Sequence, residues 1–291
     1  MTDNFSTHAD LCGMSALSSA ISVSGLFIYP VKSLGGISLP AADLAPLGLR
    51  HDRRWLIVDE RNRFLTQREH AEMALLAVEG AYNGFLLRHR QRPDLLPLYI
   101  PFEATPEKTL FVTIWDDMVF AWRGTPEADA WLSNALGRTC KLVYMSDMVR
   151  REVDSDKPEL NPPGTLVSFA DGYPYLLASE ESLQKLNAQL AEPIPMNRFR
   201  PNLVVRGLPE ADGERQWADF QIAGQAFRAV RECGRCVVTT IDQQTAAKNP
   251  ATEPLRTLAT YRKVGNKIMF GQNVTGPASG RVQVGDVVTL G

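Results

Sequence analysis

The sequence predicts a β-rich α+β fold of barrel or sandwich type, carrying a few helices. Short β-type runs follow one another at close spacing, turn residues punctuate them, and helical periodicity is confined to three stretches. Regular strand–helix alternation, the mark of a parallel sheet, is missing, and no internal repeat or low-complexity tract is visible.

Residues 1–21 contain Ser, Ala and Asp with weak periodicity and are expected to form a flexible extension. Order is expected from Ser24-Gly25-Leu26-Phe27-Ile28-Tyr29, a β-type run that Pro30 stops. Ile37 to Leu49 reads as strand and loop. Arg54 to Glu60 is a strand, Arg61-Asn62 a turn, and Phe64 to Arg68 its returning hairpin partner. Gly84–Leu87, Leu96–Ile100, Thr109–Trp115 and Met118–Trp122 are further strands, the last two joined by the turn dipeptide Asp116-Asp117. Thr125-Pro126-Glu127 opens a helix with a capping hydroxyl, a proline suited to the first position and a dipole-compatible acid; Gly137 stops it. Cys140–Met145 is a strand. The charged, Pro-containing segment from Val149 to Gly164 reads as a linker or flap, which divides the chain into domains at 22–146 and 147–291. A second helix starts at Ser179-Glu180-Glu181 and runs to about Leu190. Strands at Leu203–Arg206 and Phe220–Val230, a short helix at Pro254–Arg262, and strands at Ile268–Phe270 and Val282–Leu290 complete the order.

The chain has 291 residues, enough for one large domain or two ordinary ones. With 44% hydrophobic residues, 22% charged residues and a formal net charge of -2, it carries no general electrostatic footprint for nucleic acid or a membrane surface. Four cysteines, at 12, 140, 233 and 236, do not make a disulfide framework, so a reducing compartment is expected. No apolar run approaches the roughly 18 residues that span a bilayer. No Lys or Arg precedes Lys32, which removes the charged start of a secretory signal. The expected location is cytoplasmic.

The chemistry concentrates in Glu232-Cys233-Gly234-Arg235-Cys236-Val237-Val238-Thr239-Thr240. A guanidinium between two thiols favours a thiolate, the form that attacks electrophiles and binds metals. Four readings stand. A structural zinc site needs about four ligands, but Cys12 and Cys140 are isolated and His8, His51, His70 and His89 lie in no knuckle spacing. A redox dithiol normally opens a helix, whereas β-branched residues follow here. The pair can also be buried structural thiols, or one member can be a metal-bound or nucleophilic thiolate. Elsewhere, Tyr29-Pro30-Val31-Lys32-Ser33, His51-Asp52-Arg53-Arg54-Trp55 and Phe199-Arg200-Pro201-Asn202 place cations and hydroxyl or amide groups at strand ends, a composition that can converge on an anion. Asp171 lies in Phe169-Ala170-Asp171-Gly172-Tyr173-Pro174, where it can also simply start a turn.

Together these residues resemble the two-domain MOSC proteins. Tyr29-Pro30-Val31-Lys32-Ser33, Asp52-Arg53 and Trp55 resemble the N-terminal β-barrel-like domain. Phe199–Val205, Cys233–Thr240, Glu253-Pro254-Leu255, Phe270-Gly271-Gln272-Asn273 and Val284-Gly285-Asp286 resemble the MOSC β-barrel domain itself. The similarity runs from about Gly25 to the C-terminus, towards the YcbX-type proteins and the mitochondrial amidoxime-reducing components. It implies a molybdenum cofactor (Mo-molybdopterin) between the domains, with Cys236 as the thiolate ligand of the metal. A soft thiolate suits that role beside dithiolene sulfurs. Lys32, Ser33 and Arg53 match residues that hold the pterin and its phosphate, and Arg200 and Asn202 match the opposite wall. Arg235 and Thr239 belong to the cysteine motif, with Thr239 and Thr240 also fitting a bracing role. Asp171 matches a residue near the metal, as proton source or water holder. Gly172-Tyr173 follows Asp171 as in the YcbX type, where the amidoxime-reducing components have hydroxyl residues.

The function so implied is an oxidoreductase acting on N-hydroxylated small molecules: hydroxylamines, amidoximes or N-hydroxylated bases. With no cysteine after Cys236, no iron–sulfur cluster of its own is expected, and a separate flavoprotein reductase, ferredoxin or flavodoxin would supply electrons. Pyridoxal phosphate binding enters as a further expectation. The alternative is a non-catalytic carrier of the cofactor or of sulfur.

Overall fold

The computed structural model describes residues 20–105, 108–153 and 161–291. The expected N-terminal extension, apart from its last two residues, and part of the segment 149–164 lie outside the described residues. The first half contains β1 (Ser22–Ile28), β2 (Ile37–Leu39), β3 (Ala41–Ala45), β4 (Gly48–Leu49) and β5 (Trp55–Val58). There follow β6 (Leu76–Ala81), β7 (Gly84–His89), β8 (Leu98–Pro101), β9 (Thr109–Ile114), β10 (Asp117–Arg123), α1 (Pro126–Leu136) and β11 (Lys141–Tyr144). The second half contains β12 (Tyr175–Ser179), α2 (Glu180–Asn187), β13 (Leu203–Arg206), β14 (Asp219–Ile222), β15 (Gln225–Arg235) and α3 (Leu255–Ala259). It ends with β16 (Lys263–Val264), β17 (Lys267–Thr275), β18 (Gly280–Gln283) and β19 (Val288–Leu290).

Helix ends follow the expected chemistry. Thr125 Oγ1 accepts from the Ala128 amide at 3.2 Å, Pro126 takes the first helical position, and Gly137 closes α1 in the left-handed region at φ 63°. Ser179 caps α2 by accepting from the Ser182 amide at 3.1 Å.

The strands curl into two barrel-like units. The large sheet runs β19-β14-β15-β17-β12-β13-β1-β2, with β16 on the edge of β17. A bridge between Ser22 and Val287 returns β1 to the lead-in of β19, which brings the ends of the sheet together around an apolar core containing Leu26, Leu177, Leu203, Phe220 and Val274. In the first half, β5-β11-β10-β9 form a second sheet, and bridges from Val58 to Phe64 and from Arg63 to Thr113 join its two edges. Closing edges in this way satisfies backbone groups that an open sheet would leave bare. Two three-stranded sheets, β6-β7-β8 and β18-β3-β4, complete the structure.

Several expectations are corrected. Phe64 to Arg68 is no hairpin strand: only Phe64 and Leu65 bond back to Val58 and Ile57, and β5 pairs instead with β11. The hairpin loop between β9 and β10 is Trp115-Asp116, one residue earlier than expected. The final strand is two, β18 and β19, interrupted by a turn. β6 and β12 were not expected; both are rich in Ala and Leu rather than β-branched residues, and only their burial in the cores makes them strands. The two halves on either side of 146/147 share backbone hydrogen bonds. β1 pairs with β13, and β3 pairs with β18, so strands from the start of the chain belong to sheets of its second half.

Gly48 turns the β3–β4 connection at φ 117°, and a Cβ there would lie 2.6 Å from the Pro174 carbonyl oxygen. Gly48→Ala is therefore expected to lower unfolding free energy by about 1–3 kcal/mol, read from a urea midpoint. Gly137→Ala, with nothing within 4 Å of the added carbon, should cost only the left-handed conformation, roughly 1 kcal/mol.

Candidate functional site between the two halves

β1 and β13 run antiparallel, with Leu26 opposite Leu203 and the Phe27 amide bonded to the Asn202 carbonyl at 2.9 Å. The loop that leaves β1 (Tyr29–Ser33) therefore emerges beside the loop that enters β13 (Arg200–Asn202). β12 runs parallel to β13 with Leu177 opposite Leu203, which brings Asp171–Pro174 to the same end. The Arg53 loop is locked on by bonds from the Arg53 amide to Tyr29 O and from the Trp55 amide to Pro30 O. The result is an open cleft of about 810 Å³, counted out to its mouth, lined by residues of both halves.

Lys32, Ser33, Arg53, Asp171, Arg200, Asn202, Arg235 and Cys236, all expected from sequence, line this cleft together, and so does Cys233. Thr239 does not. It is 1% exposed, and its amide and hydroxyl both donate to the Cys236 carbonyl, at 3.1 and 3.0 Å. It braces the thiol's loop through a short 3-10 turn over Val237–Thr240, with Arg198 donating to the Thr239 carbonyl at 2.9 Å. Arg54 turns away from the cleft and binds Met145 O.

Three of these residues hold a backbone shape that L side chains rarely adopt: Ser33 at φ 66°, Arg53 at 47° and Arg200 at 58°. Such strain is kept where the surrounding structure imposes it, and it gathers at functional sites. Both guanidiniums lie 4.3 Å from the Tyr29 ring centre. Arg53 is further fixed by Asp52 at 2.6 Å and Asn202 Oδ1 at 3.0 Å. Asn202 is buried with its amide committed to the protein, donating to Phe27 O at 3.1 Å and accepting from the Leu176 amide at 3.2 Å. Its part is to hold Arg53.

The two thiols are not equivalent. Arg235 donates to Cys233 Sγ at 3.0 Å and to Phe199 O at 2.7 Å. The cation on Cys236 is Arg68, whose Nε donates to Sγ at 3.3 Å. Arg68 comes from the first half and was invisible to motif reading, because it lay in a stretch that reads as a plain strand. It also reaches Asp171 at 3.4 Å and stacks on Trp115, 4.3 Å from the ring centre. Beside it, the Gln67 and Gln243 amides bond reciprocally at 3.2 and 3.0 Å, tying the Arg68 segment to the loop after Cys236.

Lys32 is buried and donates to Phe169 O at 2.9 Å and to the Asp171 carboxylate. Enclosure in the cleft raises the Asp171 pKa, but Lys32, then Arg68 and Arg53, hold the carboxyl well below the usual carboxylate range. Burial pushes the Lys32 ammonium below its ordinary value, against the pull of Asp171. Burial also brings Arg200 down to about 10, which leaves it cationic at neutral pH.

The donor set suits an anion with a soft metal. Among the described residues, the Arg200 guanidinium and Ser33 hydroxyl make no hydrogen bond, and the buried Arg235 Nε has no partner. These are donors left for a phosphate-like acceptor. No three His, Cys, Asp or Glu side chains among the described residues cluster as metal ligands, so zinc of the structural type has no ligand set there. A metal at Cys236 must bring its own further ligands, as a dithiolene pterin does.

Two family models match nearly the whole chain: the MOSC N-terminal beta barrel domain over residues 20–139 and the MOSC domain over residues 165–289. Mitochondrial amidoxime-reducing component 1 of Xenopus laevis is 29% identical over 282 residues, covering 91% of this chain and 81% of that protein. Mitochondrial amidoxime reducing component 2 of Bos taurus is 32% identical over 251 residues, covering 82% of this chain and 72% of that protein. Molybdenum cofactor sulfurase of Arabidopsis thaliana is 30% identical over 267 residues, covering 86% of this chain but 32% of that protein. With both domains present in order, the chain belongs to the MOSC family, and its function is related to the molybdenum cofactor.

Proposed function

We propose that the protein is a cytoplasmic molybdenum-cofactor-dependent reductase of N-hydroxylated small molecules, supplied with electrons by a separate donor protein. The observation that carries this reading is the Cys236 thiol in the lining of a cleft whose cations come from both halves of the chain. The relatives named amidoxime-reducing components supply the substrate class.

Cys236 would ligate the metal, and Ser33, Arg53, Arg200 and Arg235 would hold the anionic pterin. When bound, the cofactor supplies two-electron chemistry that removes oxygen from nitrogen. The net reaction, R–NHOH with two electrons and two protons giving R–NH2 and water, needs a proton source. Asp171 is held as a carboxylate, so it orients donors rather than giving up a proton. Lys32, an ammonium with a lowered pKa beside it, is the better-placed donor.

A second reading, a carrier of the cofactor or of sulfur without turnover, draws on the likeness to the plant cofactor sulfurase. Turnover separates the two. Protein purified from a cofactor-competent host should hold close to one equivalent of molybdenum, measured by elemental analysis, and of pterin, measured by the fluorescence of its oxidised form. Less than about a tenth of an equivalent of both would sink the cofactor reading. A loaded protein that reduces no hydroxylamine in the presence of an artificial reductant would leave the carrier.

Cys236→Ala should lose the metal while Cys233→Ala keeps it; equal loss in both would point to a dithiol. The pH–rate profile of the loaded protein should fall on its alkaline side below 10.5, the ordinary lysine value, as the Lys32 ammonium deprotonates. Lys32→Arg keeps the charge and should remove that limb. Asp171, held below 3.8, should give no acid limb above that pH.

A further inference from the structure

Charge is unevenly placed along the chain. The formal net charge is -2, yet residues 233–275, which begin at the cysteine motif, hold six Lys and Arg against two acids. Both acids are committed inside the protein. Asp242 pairs with Arg198 at 3.1 Å and accepts from the Gln244 and Thr245 amides, and Glu253 accepts from the Thr257 amide at 3.0 Å. Two of the cations are committed as well: Arg235 to Cys233 and Phe199 O, and the buried Arg262 to Asp212 and Glu232. Lys248, Arg256, Lys263 and Lys267 are left. All four are exposed, and among the described residues none makes an ion pair or a side-chain hydrogen bond.

These four cations stand on the segments around the Cys236 loop. β15 pairs with β17 so that Gly234 lies opposite Met269 and Arg235 opposite Ile268. β16 extends the same edge, with Lys263 opposite Ile268 and Val264 opposite Lys267. The Lys267 stem lies over Gly234, its Cδ 3.3 Å from where a Cβ would stand. Lys248 bridges to Ile241, which follows the 3-10 turn Val237–Thr240, and α3, which carries Arg256, packs on that turn and on β17. Two apolar side chains of these segments are open to solvent: Val237, the residue after Cys236, is 41% exposed, and Val264 is 49% exposed. Exposed valines among unpaired cations give apolar contact for adhesion and charge for orientation. Electron-transfer encounters bury little surface, so a face of this size is enough.

We propose that the face running from Val237 to the β16–β17 hairpin is where the electron donor docks, and that it takes a one-electron carrier protein with an acidic surface around its redox group. Four unpaired cations attract an acidic partner and turn away a basic one. Position gives the face its use. Cys236 lines the cleft, while Val237, one residue on, is exposed and does not, so a carrier seated on the valine is a single residue from the thiol. Lys248, Arg256, Lys263 and Lys267 are also outside the cleft lining, which leaves that lining to the substrate. Two reduced carriers give one electron each, and R–NHOH with these two electrons and two protons gives R–NH2 and water. The inference rests on the reductase reading for what crosses the face, but its binding arm stands without it.

The test compares the full chain, loaded with cofactor, with the double variant Lys263→Glu/Lys267→Glu. A second double variant, Arg90→Glu/Arg206→Glu, makes the same change of charge at exposed cations on other strands and loops. Hydroxylamine turnover is driven by reduced flavodoxin, by a reduced plant-type [2Fe–2S] ferredoxin, or by reduced methyl viologen, and binding of the oxidised carriers is measured by calorimetry. At about 20 mM salt, the lysine variant should lose at least about 10-fold in turnover with the carriers and bind them correspondingly more weakly. With viologen it should keep at least about half the wild-type rate, because a small reductant needs no docking face. The arginine variant should stay within about 3-fold of wild type throughout, and about 0.5 M salt should bring wild type down towards the lysine variant. Equal losses in the two variants would make the effect one of net charge and overturn the proposal, as would an equal loss with viologen. A wild type that turns over with viologen but takes electrons from neither carrier overturns it too. If viologen drives no turnover, the reductase reading fails, and binding of the oxidised carriers decides the face: weakened by the lysine variant alone it stands, otherwise it falls.

Discussion

The site depends on where β1 is paired. Its residues come from the start of the chain, yet it lies between β2 and β13 and hydrogen-bonds to both. An inserted strand cannot slip by one residue without moving Leu26 and Ile28 out of the apolar core and turning Phe27 inward. The register therefore fixes where Tyr29–Ser33 leave the sheet, within reach of Arg200–Asn202 as they enter β13. The two loops are 167 or more residues apart in sequence and neighbours in space because one strand pairing makes them so. The Asn202 side chain reinforces this by bonding to both Phe27 O and Arg53.

Charge follows from that placement. Lys32, Arg53, Arg200 and Arg235 would repel one another in an apolar interior if nothing compensated them. Compensation is uneven. Asp52 pairs with Arg53 and Asp171 with Lys32, while among the described residues Arg200 has only the face of Tyr29. The Tyr29 phenol stays neutral, with burial pushing it up to about 12, so it offers a π-face and no charge. A cleft with more guanidinium than carboxylate is matched by an anionic ligand, which gives the excess cations their physical sense.

How much of this was legible in the sequence depends on whether the signal was local. Helix caps, the β13 strand and the lining residues of short motifs could be read, because a hydroxyl before an apolar period or a lysine after a strand-stopping proline speaks for itself. Arg68 could not: its partners Cys236 and Asp171 lie 168 and 103 residues away, and nothing around it marks it as more than a strand residue. Arg235 was legible as a cation beside the thiol pair, but not which thiol it serves. Its position between two thiols fits either, and in the structure it donates to Cys233 and to the Phe199 carbonyl, while β15 pairs irregularly between Glu232 and Gly234. β12 was missed because Leu, Ala and Ser carry little strand preference, and a central place between β13 and β17 overrides that.

Backbone strain ties these observations together. Ser33, Arg53, Trp115 and Arg200 all line the cleft and all lie in the left-handed region, at a cost of roughly 1–2 kcal/mol each. Glycine at each position would relieve that cost and leave the turns intact, so the side chains themselves must be what the structure retains. The loops hold the strain by cross-bracing: Lys32 N bonds Trp55 O, Arg53 N bonds Tyr29 O, and Phe169 N bonds Arg53 O. The first two tie the Ser33 and Arg53 loops to each other, and the third ties the Arg53 loop to the segment that leads to Asp171. Because the residues that line and brace the cleft belong to both halves of the chain, the cleft cannot form in either half alone, and the stability of the whole β-framework is what keeps four unfavourable conformations around one cleft.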